Sequence, residues 1–296
     1  MDNKELPMDN HTTKNLKLNI LDENDVEGLI SLSQSVGWDY DRDEIRTVMS
    51  SGKIIGHKNE FGHLVSSAAI ILYDTHLASI GMVIVHKKYR GRSLGKETTQ
   101  ACIDLVPKNR SIMLIATPEG KPLYEKMGFK EVGYVQKFIC NNYIPSNRLL
   151  LEGIKAEVFK QGDFEKVVEL DTDAYGDSRR KFLVNRIRQS HQSLVLRDEN
   201  GRVLGYGISI LGPENLVLGP IVAPNNNAAT FLINQLAINH HGNLRIDTST
   251  GDEIFIKFLY DSGFEKVSQP PIMIINSDTM PSRNKNLYGI AAQIFG

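Results

Sequence analysis

The stretch Val85-His86-Lys87-Lys88-Tyr89-Arg90-Gly91-Arg92-Ser93-Leu94-Gly95-Lys96 decides how this chain is read. Upstream of it, residues 77–85 form a long, mostly apolar run of the kind that makes a central strand. Downstream, a helical pattern begins near Gly95, runs to Leu105 and stops before Pro107. A buried strand that ends in a basic, glycine-containing loop and passes into a helix presents consecutive backbone N–H groups to an anion. The helix dipole adds about half a positive charge at that end. Arg90, Arg92 and Lys96 supply counter-charge, and Gly91 and Gly95 let a ligand approach the backbone closely. Taken alone, the loop is equally compatible with an ordinary solvated basic face. A nucleotide-binding P-loop is excluded, because that motif needs four residues between its glycines and a Ser or Thr directly after the lysine. Three residues separate Gly91 from Gly95, and Glu97 follows Lys96.

Outward from this stretch the chain alternates short strands and helices. Residues 16–20 alternate as a half-buried strand, Asp22 or Asn24 caps a helix through Val26, Leu29, Ile30 and Leu32, and a second helix spans 41–50 before Ser51-Gly52. Strands at 53–57 and 64–73 lead into the apolar run. After the helix come a strand at 111–116, a loop at Thr117-Pro118-Glu119-Gly120, a short helix carrying Leu123, Tyr124 and Met127 ahead of Gly128, and closing strands over 130–139. Asn141-Asn142-Tyr143-Ile144-Pro145-Ser146-Asn147 reads as a linker. The order then restarts, with strands at 155–159, 193–197, 202–211, 216–222, 244–247 and from 265, and helices at 163–175, 179–190, 227–241 and 253–262. Asn200-Gly201 marks a hairpin.

The repeat is visible in the letters. The segment 123–132 (LYEKMGFKEV) aligns with 258–267 (FLYDSGFEKV), and Gly81-Met82-Val83-Ile84-Val85 aligns with Gly219-Pro220-Ile221-Val222-Ala223. Two anchored matches at nearly equal spacing argue for duplication. A length of 296 residues accommodates two such copies, each able to bury a core. The expected layout is a flexible leader at 1–15, a first domain at 16–140, a linker at 141–152 and a second copy at 153–296.

The charge balance of 34 basic against 35 acidic residues leaves no electrostatic footprint for nucleic acid or an anionic membrane surface. No apolar run is long enough for a membrane span, and the polar first 15 residues lack a signal-peptide core. Cys102 and Cys140 are isolated thiols without C-x-x-C spacing, which points to a reducing, cytoplasmic setting. Cys102, inside a helix pattern, is expected in the core. None of the histidines has metal-ligand spacing, so no metal is expected. His240-His241 is expected to close a helix C-terminus.

The basic loop resembles the pyrophosphate arm of the GNAT (Gcn5-related) N-acetyltransferases, whose pattern is Gln/Arg-x-x-Gly-x-Gly/Ala. Arg90 fits the first position and Gly95 the last, while Ser93 departs from the middle glycine. Leu123-Tyr124-Glu125-Lys126-Met127-Gly128-Phe129 matches the family's Leu-Tyr-x-x-x-Gly-Phe segment. Gly37-Trp38, Ala116-Thr117-Pro118 and the degenerate second copy resemble the YitH-type branch of tandem GNAT proteins. The resemblance extends from Leu16 to about Ile275. It implies an α/β (α+β) architecture of two tandem GNAT folds, each a twisted, mixed and mainly antiparallel sheet flanked by helices.

It also implies chemistry. Acetyl-CoA is the expected co-substrate, its pantetheine arm along the backbone of Val83, Ile84 and Val85 and its pyrophosphate held by Arg90, Gly91, Arg92, Ser93, Leu94, Gly95 and Lys96, with Thr117 as a further cofactor-binding residue. Tyr124 matches the family tyrosine that protonates the departing thiolate, and the N–H of Val83 is the expected oxyanion donor. The expected reaction is direct attack by a small-molecule amine. N-acetylation of a protein or peptide and non-enzymatic sensing of acetyl-CoA are the rival readings. The general base stays open among His86, Glu60 and a water chain. Trp38 is expected either as an aromatic wall for the acceptor or as a core anchor. Asp171, Asp173 and Asp177 are expected as a solvated helix end or, less simply, as a cation-attracting cluster. The second copy has Ala223-Pro224-Asn225-Asn226-Asn227 in place of the basic arm and Leu259 in place of Tyr124. It is therefore expected to lack acetyl transfer and to shape the acceptor pocket, bind an effector or form a homodimer contact.

Overall fold

The computed structural model describes residues 16–145 and 151–296. The expected leader lies outside the described residues. The first half runs β1 (Lys17–Leu21), α1 (Val26–Gln34), α2 (Arg42–Ser51), β2 (Lys53–Lys58), β3 (Leu64–Leu72), β4 (Leu77–Val85), α3 (Leu94–Asp104), β5 (Ser111–Ile115), α4 (Lys121–Lys126), β6 (Lys130–Tyr134) and β7 (Gln136–Cys140). The second half repeats the plan with β8 (Ile154–Val158), α5 (Phe164–Tyr175), α6 (Arg180–Gln189), β9 (Gln192–Asp198), β10 (Val203–Leu211), β11 (Leu216–Val222), α7 (Asn226–Ala237), β12 (Leu244–Thr248), α8 (Glu253–Asp261), β13 (Glu265–Ser268), β14 (Pro271–Ile275) and β15 (Leu287–Gly289).

Local chemistry sets many of these boundaries. Asp22 accepts from the N–H of Asn24 at 2.9 Å while Asp25 reaches back to the N–H of Asp22 at 3.2 Å, a reciprocal cap that launches α1. Asp41 caps α2 through the N–H of Glu44 at 2.8 Å. Strand β3 is buried on both faces up to Ile71, and its serines fit there because their hydroxyls are satisfied. Ser66 meets His57 Nδ1 at 2.7 Å, and Ser67 donates to the carbonyl of Met82 at 2.8 Å.

Two sheets result. The first is seven-stranded in the order β1-β2-β3-β4-β5-β14-β6, and the second is eight-stranded in the order β13-β7-β12-β11-β10-β9-β8, with β15 added against β11. The pairs β4/β5 and β11/β12 are parallel and the others antiparallel. Each sheet therefore contains a strand from the other half. β14 lies between β5 and β6, and β7 lies between β12 and β13. The chains cross where Val135, fully buried, donates its N–H to the carbonyl of Pro270 at 2.9 Å. A boundary at residue 140 thus does not coincide with the sheets: residues 136–140 complete the second sheet and 271–275 the first.

A shared core between the sheets joins α1, α2, α5 and α6 with residues such as Tyr73, Met113, Tyr175, Tyr206 and Phe295. A second core underlies α3 and α4 on the far face of the first sheet, and a third underlies α7 and α8 on the far face of the second. Helix α7 ends at Ala237, so His240-His241 lies beyond it rather than closing it. Ile238 is exposed and residues 239–242 are polar or glycine, so nothing fastens a further turn to the sheet. Strand β15 has no counterpart in the sequence reading, and the chain after it runs through the shared core. The carbonyl of Ile294 accepts from Ser79 at 2.7 Å, and that of Phe295 accepts from Tyr73 at 2.6 Å.

Candidate active site

The site begins where β4 and β5 part. Their parallel pairing runs from Leu77↔Ser111 to Ile80↔Leu114 and stops, so Gly81–Val85 has no strand on that side. The cause is a bulge: Ser67 pairs with Ile84 and Ala69 with Gly81, leaving Met82 and Val83 without a register partner on β3. Met82 adopts φ 50°, a left-handed conformation that costs a non-glycine residue about 1–2 kcal/mol. Burial of its side chain and the Ser67 hydrogen bond to its carbonyl hold it there.

At the end of β4 the N–H of His86 bonds to the carbonyl of Val65 at 2.9 Å. A single 3-10 turn, Lys87–Tyr89, follows. The His86 ring accepts from the N–H of Lys88 at 3.3 Å and lies edge-on to Tyr89 at 6.0 Å. Gly91 takes φ 76° and Ser93 takes φ 62°, so the residue that departs from the family glycine sits in a glycine conformation. The Ser93 side chain makes no cap hydrogen bond, which leaves the first N–H groups of α3 uncapped by it. Lys87, Arg90, Arg92 and Lys96 form no ion pair among the described residues, and Arg92 lies over the Tyr89 ring at 5.2 Å. Glu97, the acid of this turn, faces His57 Nε2 at 3.2 Å.

Gly95 provides a test of fit for a diphosphate. A methyl at this position would meet Val85 at 3.4 Å and Leu123 at 3.6 Å, ordinary contact distances, and its backbone is helical. The protein itself therefore has room for alanine. A bare α-carbon at an uncapped helix start, next to a loop in which Lys87, Arg90, Arg92 and Lys96 have no ion pair among the described residues, fits a bound anion that lies against the backbone.

Tyr124 lies on α4, 6% exposed, edge-on to Phe129 at 5.9 Å. Its hydroxyl makes no hydrogen bond among the described residues. Burial, with a smaller contribution from Cys102, raises its phenol well above the usual range, so it stays protonated. Thr117 accepts the N–H of Gly120 at 3.1 Å and starts this helix region. Cys102 is fully buried, and burial pushes its thiol up to about 12, in keeping with a core residue.

A cavity of about 430 Å³ opens between the two halves. It touches Gly81 and Met82 on one side of the parted strands and Ile115, Thr117 and Pro118 on the other. Trp38 and Tyr40, their rings 6.2 Å apart, line it from the α1–α2 connection, and Trp38 also packs on the shared core. The sequence reading missed the other polar walls: Asp39, Asp41 and Glu44 from the first half, Lys137 from β7, Arg186 from α6, Glu214 and Arg245. No motif marks them, because only the exchange of β7 brings Lys137 beside β12. Neither His86 nor Glu60 lines this cavity. Asp41 does, and burial raises its carboxyl above the usual range.

Two acids of the expected cluster, Asp171 and Asp177, are neither solvated nor open to a substrate, while Asp173 is exposed, as a solvated helix end is. Asp171 is fully buried, holds Arg179 through two hydrogen bonds of 2.7 and 2.9 Å and accepts from Tyr206. Asp177 is 2% exposed and accepts from the N–H groups of Thr75, His76 and Leu77 at 2.8–3.0 Å. Both carboxylates tie the second half to the interior and to the first half, where unpaired charge would be costly.

The second copy differs at the equivalent places. β11 and β12 pair only at Leu216↔Leu244 and Val217↔Arg245, and β15 then lies against β11 while the N–H of Ile290 bonds to the carbonyl of Asp247 at 2.8 Å. A side chain on Gly219 would run into the carbonyl of Ile290. The gap between these strands is thus filled by the chain itself. Asn225 caps α7 through the N–H of Ala228 at 3.0 Å, and Leu259 is fully buried.

Among the described residues no helix is long and apolar enough to cross a membrane, and no group of three His, Cys, Asp or Glu is placed to hold a metal ion. Comparison with known proteins agrees with the geometry. Two acetyltransferase (GNAT) domain families match, one at residues 38–144 and one at 167–289. The uncharacterized N-acetyltransferase YitH of Bacillus subtilis is 35% identical over 277 residues, 93% of this chain and 97% of that protein. A candidate acetyltransferase from Pyrococcus horikoshii shares the fold at TM-score 0.79 with 20% identity, covering 98% of this chain and 99% of its own. A tandem GNAT protein from the clavulanic acid biosynthesis pathway does so at TM-score 0.64 with 14% identity, covering 88% and 98%. With strands parted beside an uncapped, basic helix start, and with both halves matched in tandem, this chain belongs to the GNAT acetyltransferase family.

Proposed function

We propose that the chain transfers the acetyl group of acetyl-CoA to a primary amine of a small molecule, using the first half for the cofactor and both halves for the acceptor. The observation that carries this reading is the cavity of about 430 Å³ that meets the parted strands at Met82 and Thr117 and is walled by both halves. A volume of this size suits a small acceptor. Acetylation of a protein terminus would call for an open groove there instead.

In this reading the unpartnered edge from Gly81 to Val85 takes the pantetheine, with Val83, Ile84 and Val85 as its backbone partners. Arg90 to Lys96 holds the diphosphate. Acetyl-CoA supplies an acetyl thioester. The amine nitrogen bonds to the acetyl carbon as the carbon–sulfur bond breaks. The N–H of Val83, free of a register partner in the bulge, stabilises the charge that develops on the carbonyl oxygen. Tyr124 gives its proton to the departing sulfur, and the proton lost by the amine restores the phenol. A phenol held protonated by burial can act as this donor at any physiological pH. Trp38 forms an aromatic wall for the acceptor. The self-filled gap between β11 and β12 and the capped α7 support a second copy that binds no acetyl-CoA of its own.

Thiol release from acetyl-CoA with a panel of amines tests the transfer and separates an enzyme from a sensor. Tyr124→Phe should bind CoA as the parent does and lower kcat by about 10²–10⁴, the span of positioned general acids. Full activity of that variant removes Tyr124 from the acid role.

A further inference from the structure

The charges around the cavity are unequally spent. Glu44 and Arg186 neutralise each other, with Gln189 Nε2 donating to Glu44 at 2.8 Å and Arg186 Nη2 donating to the carbonyl of Ala291 at 2.6 Å. On the β7–β12 wall the balance is different. Lys137 stands directly opposite Asp247 in the antiparallel register, with Arg245 on the same face two residues away. The carboxylate of Asp247 is already engaged, accepting Arg245 Nε at 3.0 Å, Arg245 Nη2 at 2.6 Å and Gln293 Nε2 at 3.1 Å. Lys137 Nζ makes no hydrogen bond or ion pair among the described residues, and Arg245 Nη1 has no protein acceptor among them. Two cations against one engaged carboxylate leave the β7–β12 pair itself one positive charge in surplus, which Asp39 and Glu214 offset only through space, with no hydrogen bond or ion pair to either cation among the described residues, and both cations line the cavity. Burial, then the neighbouring Arg245, holds the Lys137 ammonium below the usual lysine range. A half-buried ammonium without a partner is a desolvation cost that a bound anion would offset. Asp39 and Glu214, whose charges act on Lys137, line the same cavity, and their side chains are likewise without a hydrogen bond or ion pair among the described residues. Unquenched charges of both signs therefore face the same space.

We propose that the acceptor carries a carboxylate beside its amine, the carboxylate held by Lys137 and Arg245 and the amine directed to the parted strands at Met82. Within the acetyl-transfer reading, on which this rests, the acceptor class is an amino acid rather than a polyamine or an aminoglycoside, whose positive charges the Lys137–Arg245 wall would repel.

The test compares free amino acids with their carboxamides and with the corresponding decarboxylated amines, by thiol release and by thermal shift in the presence of CoA. Amino acids should be acetylated with a KM at least about tenfold lower than their neutral or cationic counterparts, the scale of a lost charge-assisted hydrogen bond. Lys137→Met should raise the KM for the amino acid about tenfold, leave the KM for acetyl-CoA unchanged and shrink the preference over the carboxamide. Lys137→Arg should restore that preference. A carboxamide or plain amine preferred over the amino acid overturns the proposal, as does a preference unaltered in Lys137→Met. If no amine of any class is acetylated, the transfer reading fails on its own. A thermal shift with amino acids that Lys137→Met abolishes would then still establish the carboxylate subsite, and no shift with any amino acid would refute it.

Discussion

Gly95→Ala is expected to raise stability slightly with CoA affinity kept, and Gly95→Glu to weaken CoA binding strongly. Gly95 is the second residue of α3 with helical backbone, and an added methyl would sit at 3.4 Å from Val85 and 3.6 Å from Leu123 without displacing either. Replacing glycine by alanine in a helix gains roughly 0.5–1 kcal/mol, mainly by restricting the unfolded chain. Near the helix start the lower figure applies, so the denaturant midpoint should rise slightly. The family pattern admits alanine at this position, so the methyl alone leaves a diphosphate room. A glutamate there brings a longer side chain and a negative charge to the helix start, and each charge-assisted N–H to phosphate bond it displaces is worth about 1.5–3 kcal/mol. Affinity for CoA should therefore fall by at least about ten- to a hundredfold in Gly95→Glu. Urea unfolding read by circular dichroism measures the first effect, and calorimetric titration with CoA measures the second. CoA affinity unchanged in Gly95→Glu would show that no ligand lies against this α-carbon. A loss of stability in Gly95→Ala would show that the surroundings of Gly95 are tighter than these distances.

Two further outcomes follow from the exchanged strands and the buried acids. Met273, fully buried on β14, packs with Leu114, Tyr124 and Phe129 of the first half. Met273→Ala should cost about 2–5 kcal/mol and lower a single melting transition shared by both halves, whereas two separate transitions would contradict the exchange. Burial pushes the Asp177 carboxyl up, but the hydrogen bonds from His76, Thr75 and Leu77 outweigh it and hold the carboxyl below its usual range. The unfolded chain then binds its proton more readily than the folded one, so stability rises with pH between the folded value and about 3.9. Asp177 stabilises fully above that window and loses its contribution as pH falls through it. Asp177→Asn should therefore unfold with a shallower dependence on pH below about 4, and an unchanged acid profile would remove Asp177 from the linkage.

Much of the candidate site was legible because its signals are local. Arg90, Gly91, Ser93 and Gly95 lie within one loop, and the apolar run before them and the helix pattern after them need only periodicity to be seen. Leu123 to Phe129 reads the same way, since a glycine with φ 92° at Gly128 ends α4 as its position suggests. Asp22 likewise announced the first helical stretch, which it caps. The second family of features was silent. Asp171 and Asp177 look like an exposed helix end because acids usually are, and only the arrival of Arg179 and of the 75–77 backbone makes their burial affordable.

The sequence by itself determined the order of elements, the duplication and the place of the basic glycine loop, because each is read from signals within a dozen or so residues. The tertiary structure decided that β7 and β14 change places and that the chain fills its own second gap with β15. It also decided that Lys137, Arg245 and Trp38 line one cavity. Strand pairing has no local code. β6 and β7 both read only as closing strands, and which sheet each joins is fixed by apolar surface and unpaired backbone groups contributed from more than a hundred residues away.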